Sequence, residues 1–196
     1  MSVHDTRQAF PCIVYRVPST AEMNYFEFFG LPVSFRVDVP ALRSVFLKNS
    51  KKYHPDFHTL SSESEQAKML EMSTLNNEAF KTLSDLDERI HYILKIKGLL
   101  GEEGHQPSLS QDFLMEMMDI NEGLMELEFE PDAVRYDLIL KAVENFEKEL
   151  HEEICPILDT WTEADGTEPL QSVRDYFFKK RYLLRIRENL SKFAPA

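Results

Sequence analysis

Between Val39 and Leu83 the apolar residues return every third or fourth position, the spacing that paints one stripe along an α-helix. One stripe holds Val39, Leu42, Phe46 and Tyr53; a second holds Met69, Met72, Leu75, Asn76, Ala79, Phe80 and Leu83. They predict helices over residues 39–53 and 64–83 that pack on each other as an antiparallel pair. A short helix over "MNYFEFFG" precedes them and another, over 86–97, follows. Within "GLLGEEGHQPSL" the density of glycine, proline and polar residues predicts a linker over 99–109. Beyond it, helices over 110–128, 131–154 and 167–191, joined through "EFEP" and "DTWTEADGTEP", predict an up-down-up three-helix bundle. No useful length of chain alternates apolar and polar residues as a half-buried strand must, so the fold class is all-α. The domains expected are a 1–22 extension, a 23–98 unit, the linker and a 110–196 bundle. The extension carries the one strand-like fragment, "CIVYRV", between Pro11 and Pro18 and without a pairing partner.

Composition narrows the function classes. In a chain of 196 residues, 43% hydrophobic content suffices for a packed core. The 34 acidic against 22 basic side chains give a net charge of -12, which excludes a general nucleic-acid binder held by phosphate neutralisation. Any basic function is therefore local. No uncharged apolar run is long enough for a membrane span, and residues 1–22 lack the apolar core of a secretory signal. A cytoplasmic protein is expected. Cys12 and Cys155 stand far apart, outside any CxxC or Cys/His spacing, and read as reduced thiols.

The first stretch that carries chemistry is "KNSKKYHPDFHT", residues 48–59. At about 100° per residue, Lys48, Lys51 and Lys52 fall roughly opposite the apolar stripe of their helix. Pro55 pushes His54 out of helical backbone and stops the helix, which accounts for the proline but not for His54 or Asp56. A metal or catalytic site built on His54, Asp56 and His58 lacks a third ligand at suitable spacing. The chain also has no HExxH, no Gly-rich phosphate loop and no GxSxG. By average residue usage a chance HPD in a chain this long has a probability of about one per cent. Its place between two amphipathic helices, directly after a lysine face, favours a surface that another protein reads.

With these residues in view, 23–98 resembles a J-domain, the module that stimulates ATP hydrolysis by Hsp70 chaperones and carries HPD between its second and third helices. More narrowly, "MNYFEFFGLP", the helical tail with "FLMEMMDINEGLMELE" and the total length resemble the HscB-type J-proteins of iron–sulfur cluster assembly. Phe57 stands where many relatives have a basic residue, Leu86 where they often have proline, and the cysteine pairs of the animal versions are absent. The resemblance implies an L-shaped co-chaperone that is not itself an enzyme and binds no cofactor or metal. Lys48, Lys51 and Lys52 would steer it to an acidic surface of an HscA-type Hsp70, where His54 and Asp56, braced by Pro55, favour the hydrolysis-competent state. It implies action in the bacterial cytoplasm, ahead of the mitochondrial matrix. Two other readings remain: a J-protein with a different client, and a hydrolase using His54 and Asp56, which needs a further polar group that the sequence does not offer.

The second stretch is "DFLMEMMDINEGLMELE". Phe113, Met117, Ile120, Leu124 and Leu127 form its core stripe, while Met115, Met118, Asp119, Glu122 and Glu126 cluster opposite, with Leu114 and Met125 along one flank. Thioethers and carboxylates mixed on one face suit a protein partner. In the last helix Val173, Phe177 and Leu184 read as core, and Phe178, Tyr182 and Ile186 as a second row. The resemblance implies that the tail binds an IscU-type iron–sulfur scaffold protein through Leu114, Met115, Met118, Asp119, Glu122, Glu126 and Tyr182. No nucleic-acid or membrane partner is expected.

Overall fold

The computed structural model describes residues 23–101 and 109–194; the extension with "CIVYRV" and Cys12, and most of the expected linker, lie outside the described residues. Eight α-helices occur among the described residues, with no strand. The first four are α1 (Tyr25–Phe29), α2 (Val39–Lys52), α3 (Glu63–Ser84) and α4 (Leu86–Ile96). The rest are α5 (Gln111–Glu116), α6 (Met118–Phe129), α7 (Ala133–Thr160) and α8 (Pro169–Leu190).

Local sequence sets the helix ends. Asp38 caps α2 by accepting from the Ala41 N–H at 3.0 Å, with Pro40 in the first turn, where no intrahelical N–H is needed. Ser62 and Glu65 form a capping box on α3, each side chain accepting from the other's backbone N–H. These bonds to Ser62 hold the Glu65 carboxyl below its usual range. Gly30 ends α1 in the left-handed conformation (φ 67°), which only glycine adopts cheaply.

The α2–α3 pair is antiparallel and tightly joined. The Phe46 and Phe80 rings stack at 4.3 Å, and buried Asn76 donates from Nδ2 to the Phe46 carbonyl (3.2 Å) and Ser50 Oγ (3.1 Å). Within the predicted α2 stripe Leu42 and Tyr53 are buried, but Val39 is exposed because it opens the first turn, ahead of any helix that covers it. In α3 burial concentrates in the C-terminal half, at Asn76, Ala79 and Leu83; Met69, Met72 and Leu75 are only half-buried. Arg89 is buried without a carboxylate in contact: Nε donates to the Leu83 carbonyl at 2.7 Å and Nη1 to the Phe35 carbonyl. It ties the end of α3 to the α1–α2 connection, and burial lowers its pKa, against a small opposing pull from Asp85.

The main departures from expectation lie in the tail. The helix predicted over 110–128 is two, α5 and α6, broken at Met117. The helix predicted to end at Ile154 runs on through Pro156 to Thr160. A proline inside a helix costs about 3 kcal/mol, and Leu158 and Trp161, both buried beyond it, offset that cost. In α8, Leu184 is exposed and Ile186 buried, the reverse of the predicted assignment; the covered face is Leu170, Val173, Tyr176, Leu183, Ile186 and Leu190.

Two apolar cores result, and one crosses the expected domain boundary. Phe26, Phe35, Leu42, Leu83, Ile90 and Leu94 share a single core with Ile154, Leu158, Trp161, Leu170, Val173 and Tyr176. The second core holds Phe113, Met117, Ile120, Leu127, Ile139, Val143 and Leu183. The 28 residues of α7, about 42 Å at 1.5 Å per residue, serve both cores. Around the joint, Phe35 meets Trp161 at 5.2 Å and His91 stacks on Phe177 at 5.5 Å. Lys180 binds Asp87 at 2.6 and 2.8 Å, and Lys97 pairs with Glu163.

Two outcomes follow from this joint. Trp161→Ala should cost about 3–5 kcal/mol. In wild-type protein the fluorescence of the single tryptophan and far-UV circular dichroism should report one coincident urea transition; two separated transitions would refute a shared core. Burial, with lesser help from Arg181 and Lys95, lowers the His91 pKa, opposed by Glu88. The unfolded chain therefore takes up a proton near pH 6.5 that the folded chain refuses. Stability should fall as pH drops below that value until the lower folded pKa is passed, and His91→Phe should flatten this slope in pH-dependent denaturation.

Candidate functional sites

The loop after α2 presents the tripeptide. Pro55 opens a 3₁₀ turn over Pro55–His58, and His54, extended at φ −64°, ψ 128°, caps it. His54 Nδ1 accepts from the Asp56 N–H at 3.2 Å. That bond requires an unprotonated Nδ1, so the imidazole carries its proton on Nε2. The His54 and Asp56 side chains are 53% and 84% exposed, 3.7 Å apart, so the pair faces solvent. Phe57 lies beside the His54 ring at 5.9 Å and is itself exposed.

The loop is anchored from behind. His58 Nε2 meets the Lys52 carbonyl at 2.8 Å, and Gln66 donates to the carbonyls of Thr59 and Ser61 at 3.3 and 3.0 Å. His58 is thus engaged with backbone instead of joining His54 and Asp56. Among the described residues no group of three or more His, Cys, Asp or Glu is arranged to hold a metal ion.

Lys48, Lys51 and Lys52 are exposed, and among the described residues none lies within 4.0 Å of a carboxylate. Lys51 and Lys52 occupy the last turn of α2, where the helix dipole favours cations; Lys52 Nζ also sits 5.1 Å from the Tyr53 ring. Exposed Leu47 and Arg43 flank this face on the Lys51 side, about 40° and 80° beyond Lys51 in angle. Reading the lysines alone passed over them, although the same helical projection locates both.

The second candidate is the outer face of α5 and α6. Leu114, Met115 and Met118 are exposed, as are Asp119, Glu122 and Glu126. Glu126 is not free, because Arg135 of α7 pairs with it at 3.1 Å. Tyr182 is half-buried: its ring meets Phe113 edge-on at 5.6 Å, and its hydroxyl accepts from Asn121 Nδ2 at 2.8 Å. The same Nδ2 donates to the Met117 carbonyl at 2.8 Å. Asn121 and Tyr182 thereby pin the break between α5 and α6, which sets how Leu114 and Met115 stand relative to Met118 and Glu122. Projection of one unbroken helix had no means of finding that role for Asn121. Gly123 eases the neighbouring contact: a Cβ there would stand 2.9 Å from Ile139 Cδ1, so any larger residue would require the end of that side chain to move.

Comparisons with known proteins agree with this architecture. The family described as HSCB C-terminal oligomerisation domain matches residues 109–191. The chain is 28% identical over 178 residues to the co-chaperone protein HscB homolog of Shewanella halifaxensis (strain HAW-EB4), covering 89% of this chain and 98% of the relative. The crystal structure of human co-chaperone protein HscB superposes with a TM-score of 0.69 at 26% identity, over 97% of this chain and 91% of that one. The chaperone HscB from Vibrio cholerae shares the fold, with a TM-score of 0.60 at 23% identity over 88% of this chain and 100% of that one. Helical hairpin, tail and comparisons define an all-helical co-chaperone in which a J-domain meets a C-terminal helical domain. The chain is thus similar to the HscB-type co-chaperones, over residues 109–191 in the family model and over nearly its whole length in fold.

Proposed function

We propose that this co-chaperone stimulates the ATPase of an HscA-type Hsp70 through His54, Pro55 and Asp56. Lys48, Lys51 and Lys52 guide the encounter. The observation that carries this reading is the exposed tripeptide, braced by Pro55 and His58, at the end of a helix whose ammonium groups pair with no carboxylate among the described residues. An acidic partner surface is attracted to that face, and the chemistry remains the partner's. The same reading assigns residues 23–98 as the J-domain and 110–196 as the domain that holds an IscU-type iron–sulfur scaffold. Its contacts are Leu114, Met115, Met118, Asp119, Glu122, Glu126 and Tyr182. Delivered together, scaffold and co-chaperone stimulate the Hsp70 more than either alone, and the scaffold is held in a form that releases its cluster. We assign this action to the bacterial cytoplasm, in keeping with the Shewanella relative.

An ATPase assay of an HscA-type Hsp70, with and without an IscU-type scaffold, tests the reading. His54→Gln should abolish stimulation and leave helicity by circular dichroism unchanged; full stimulation by this variant removes the J-domain role. Changing Leu114, Met115 and Tyr182 together to alanine should weaken scaffold binding at least about tenfold, since apolar and aromatic anchors dominate such interfaces. Calorimetry that returns the wild-type affinity refutes that surface.

A further inference from the structure

We infer that the client surface continues past the end of α6 onto α7, where Met125, Phe129, Val134 and Leu138 take a basic, apolar segment of the scaffold protein. The inference rests on the scaffold-binding reading above and enlarges its surface.

Single exposed apolar residues are ordinary on a protein. Here four large ones gather on one hairpin: Met125 is 62% exposed, Phe129 85%, Val134 69% and Leu138 64%. At about 100° per residue Met118, Met125 and Phe129 lie within about 40° of one another, opposite buried Ile120 and Leu127. Val134 and Leu138, one turn apart, face away from buried Ile139 and Val143. The Glu126–Arg135 pair at 3.1 Å bridges the two rows, so they form one surface across the hairpin. The span from Leu114 to Phe129 is at most about 22 Å, the length of an unbroken helix at 1.5 Å per residue, and a standard interface of about 800 Å² a side is roughly 30 Å across. One partner of ordinary size therefore covers both parts.

Charge selects the occupant. Asp119, Glu122, Glu128, Glu130 and Asp137 surround the apolar residues, all exposed. Against them stand Lys141, one turn beyond Leu138 and exposed, and Arg135, already tied to Glu126. In a symmetric pairing with a second copy this acidic surface would meet itself, and like charges would oppose the contact. An anionic bilayer is repelled for the same reason. A protein segment with Lys or Arg flanking apolar side chains is attracted.

Titration calorimetry of the full chain with a purified IscU-type scaffold decides the matter. Phe129→Ser with Leu138→Ser changes only exposed positions, so circular dichroism and thermal midpoint should stay as in wild type. Scaffold affinity should fall at least about tenfold, and Glu128→Lys with Asp137→Lys should lower it as well. If the serine variant binds within about twofold of wild type while the Leu114/Met115/Tyr182 variant is weakened, the extension is wrong and the original surface stands. If the wild-type chain does not bind the scaffold, both fall. Light scattering that shows a dimer dissolved by the serine changes would assign the surface to a second copy and overturn the inference.

Discussion

Burial of Trp161 against Phe35, together with Leu158, Leu170 and Val173, makes one core out of two segments far apart in sequence. Independent motion is the default between units joined by small, polar contacts, and it is suppressed where the interface is large and apolar. Here no movement of the tail on the J-domain is available without exposing Trp161 and the residues around it to water. Each fully buried side chain of this kind contributes about 1.5–3 kcal/mol, more in sum than the roughly 3 kcal/mol cost of carrying α7 through Pro156. The result is a fixed relation between the tripeptide loop and the α5–α6 face. On the proposed reading, a client held on one end would be presented to a chaperone at the other by geometry, without a hinge to search through.

The same long helix separates the charges. The chain is acidic overall, at -12, yet α2 shows an ammonium row that is unpaired among the described residues, while the outer side of α6 and α7 is carboxylate-rich. From Ala133 to Ile154 α7 extends about 32 Å, several times the Debye length of about 10 Å at 0.1 M salt. Charges held that far apart are largely screened from one another, so on the proposed reading each face would attract its own class of partner. A net acidic protein can thus hold a basic function, provided the basic residues are concentrated on one helix and kept out of ion pairs with the rest.

Short-range information was legible in the sequence, and long-range packing was not. The α2 and α3 stripes and the Pro55 stop depend on spacing and on backbone restriction, both local, so helix positions and the loop could be read directly. Val39 and Leu184 have the periodicity of buried residues, but no neighbouring element covers them. Ile186 has the spacing of a surface row, yet it is covered because α8 lies across both cores. The break at Met117 depends on Tyr182, 61 residues away from Asn121 in sequence. Trp161 sits in a segment that reads as a turn, and its partner Phe35 comes from the opposite unit. For the candidate surfaces the residue types were visible, whereas which side chains are tied up was not: Glu126 by Arg135, Tyr182 by Asn121, His58 by the Lys52 carbonyl.

These ties bear on how the tripeptide works. A loop that is free in the unbound protein must be ordered on binding, at about 0.5–1.5 kcal/mol for each immobilised side chain. This loop is ordered beforehand: His58 reaches back to α2, Gln66 holds the Thr59 and Ser61 carbonyls from α3, and Pro55 fixes the turn between them. The Asp56 N–H, by bonding Nδ1 of His54, leaves Nε2–H as the outward donor beside an outward carboxylate acceptor. Donor, acceptor and cationic row are thus set in a single arrangement before any partner arrives. On the proposed reading, most of the binding free energy would then be available for discriminating between the partner's conformations, the quantity needed to shift that partner's equilibrium.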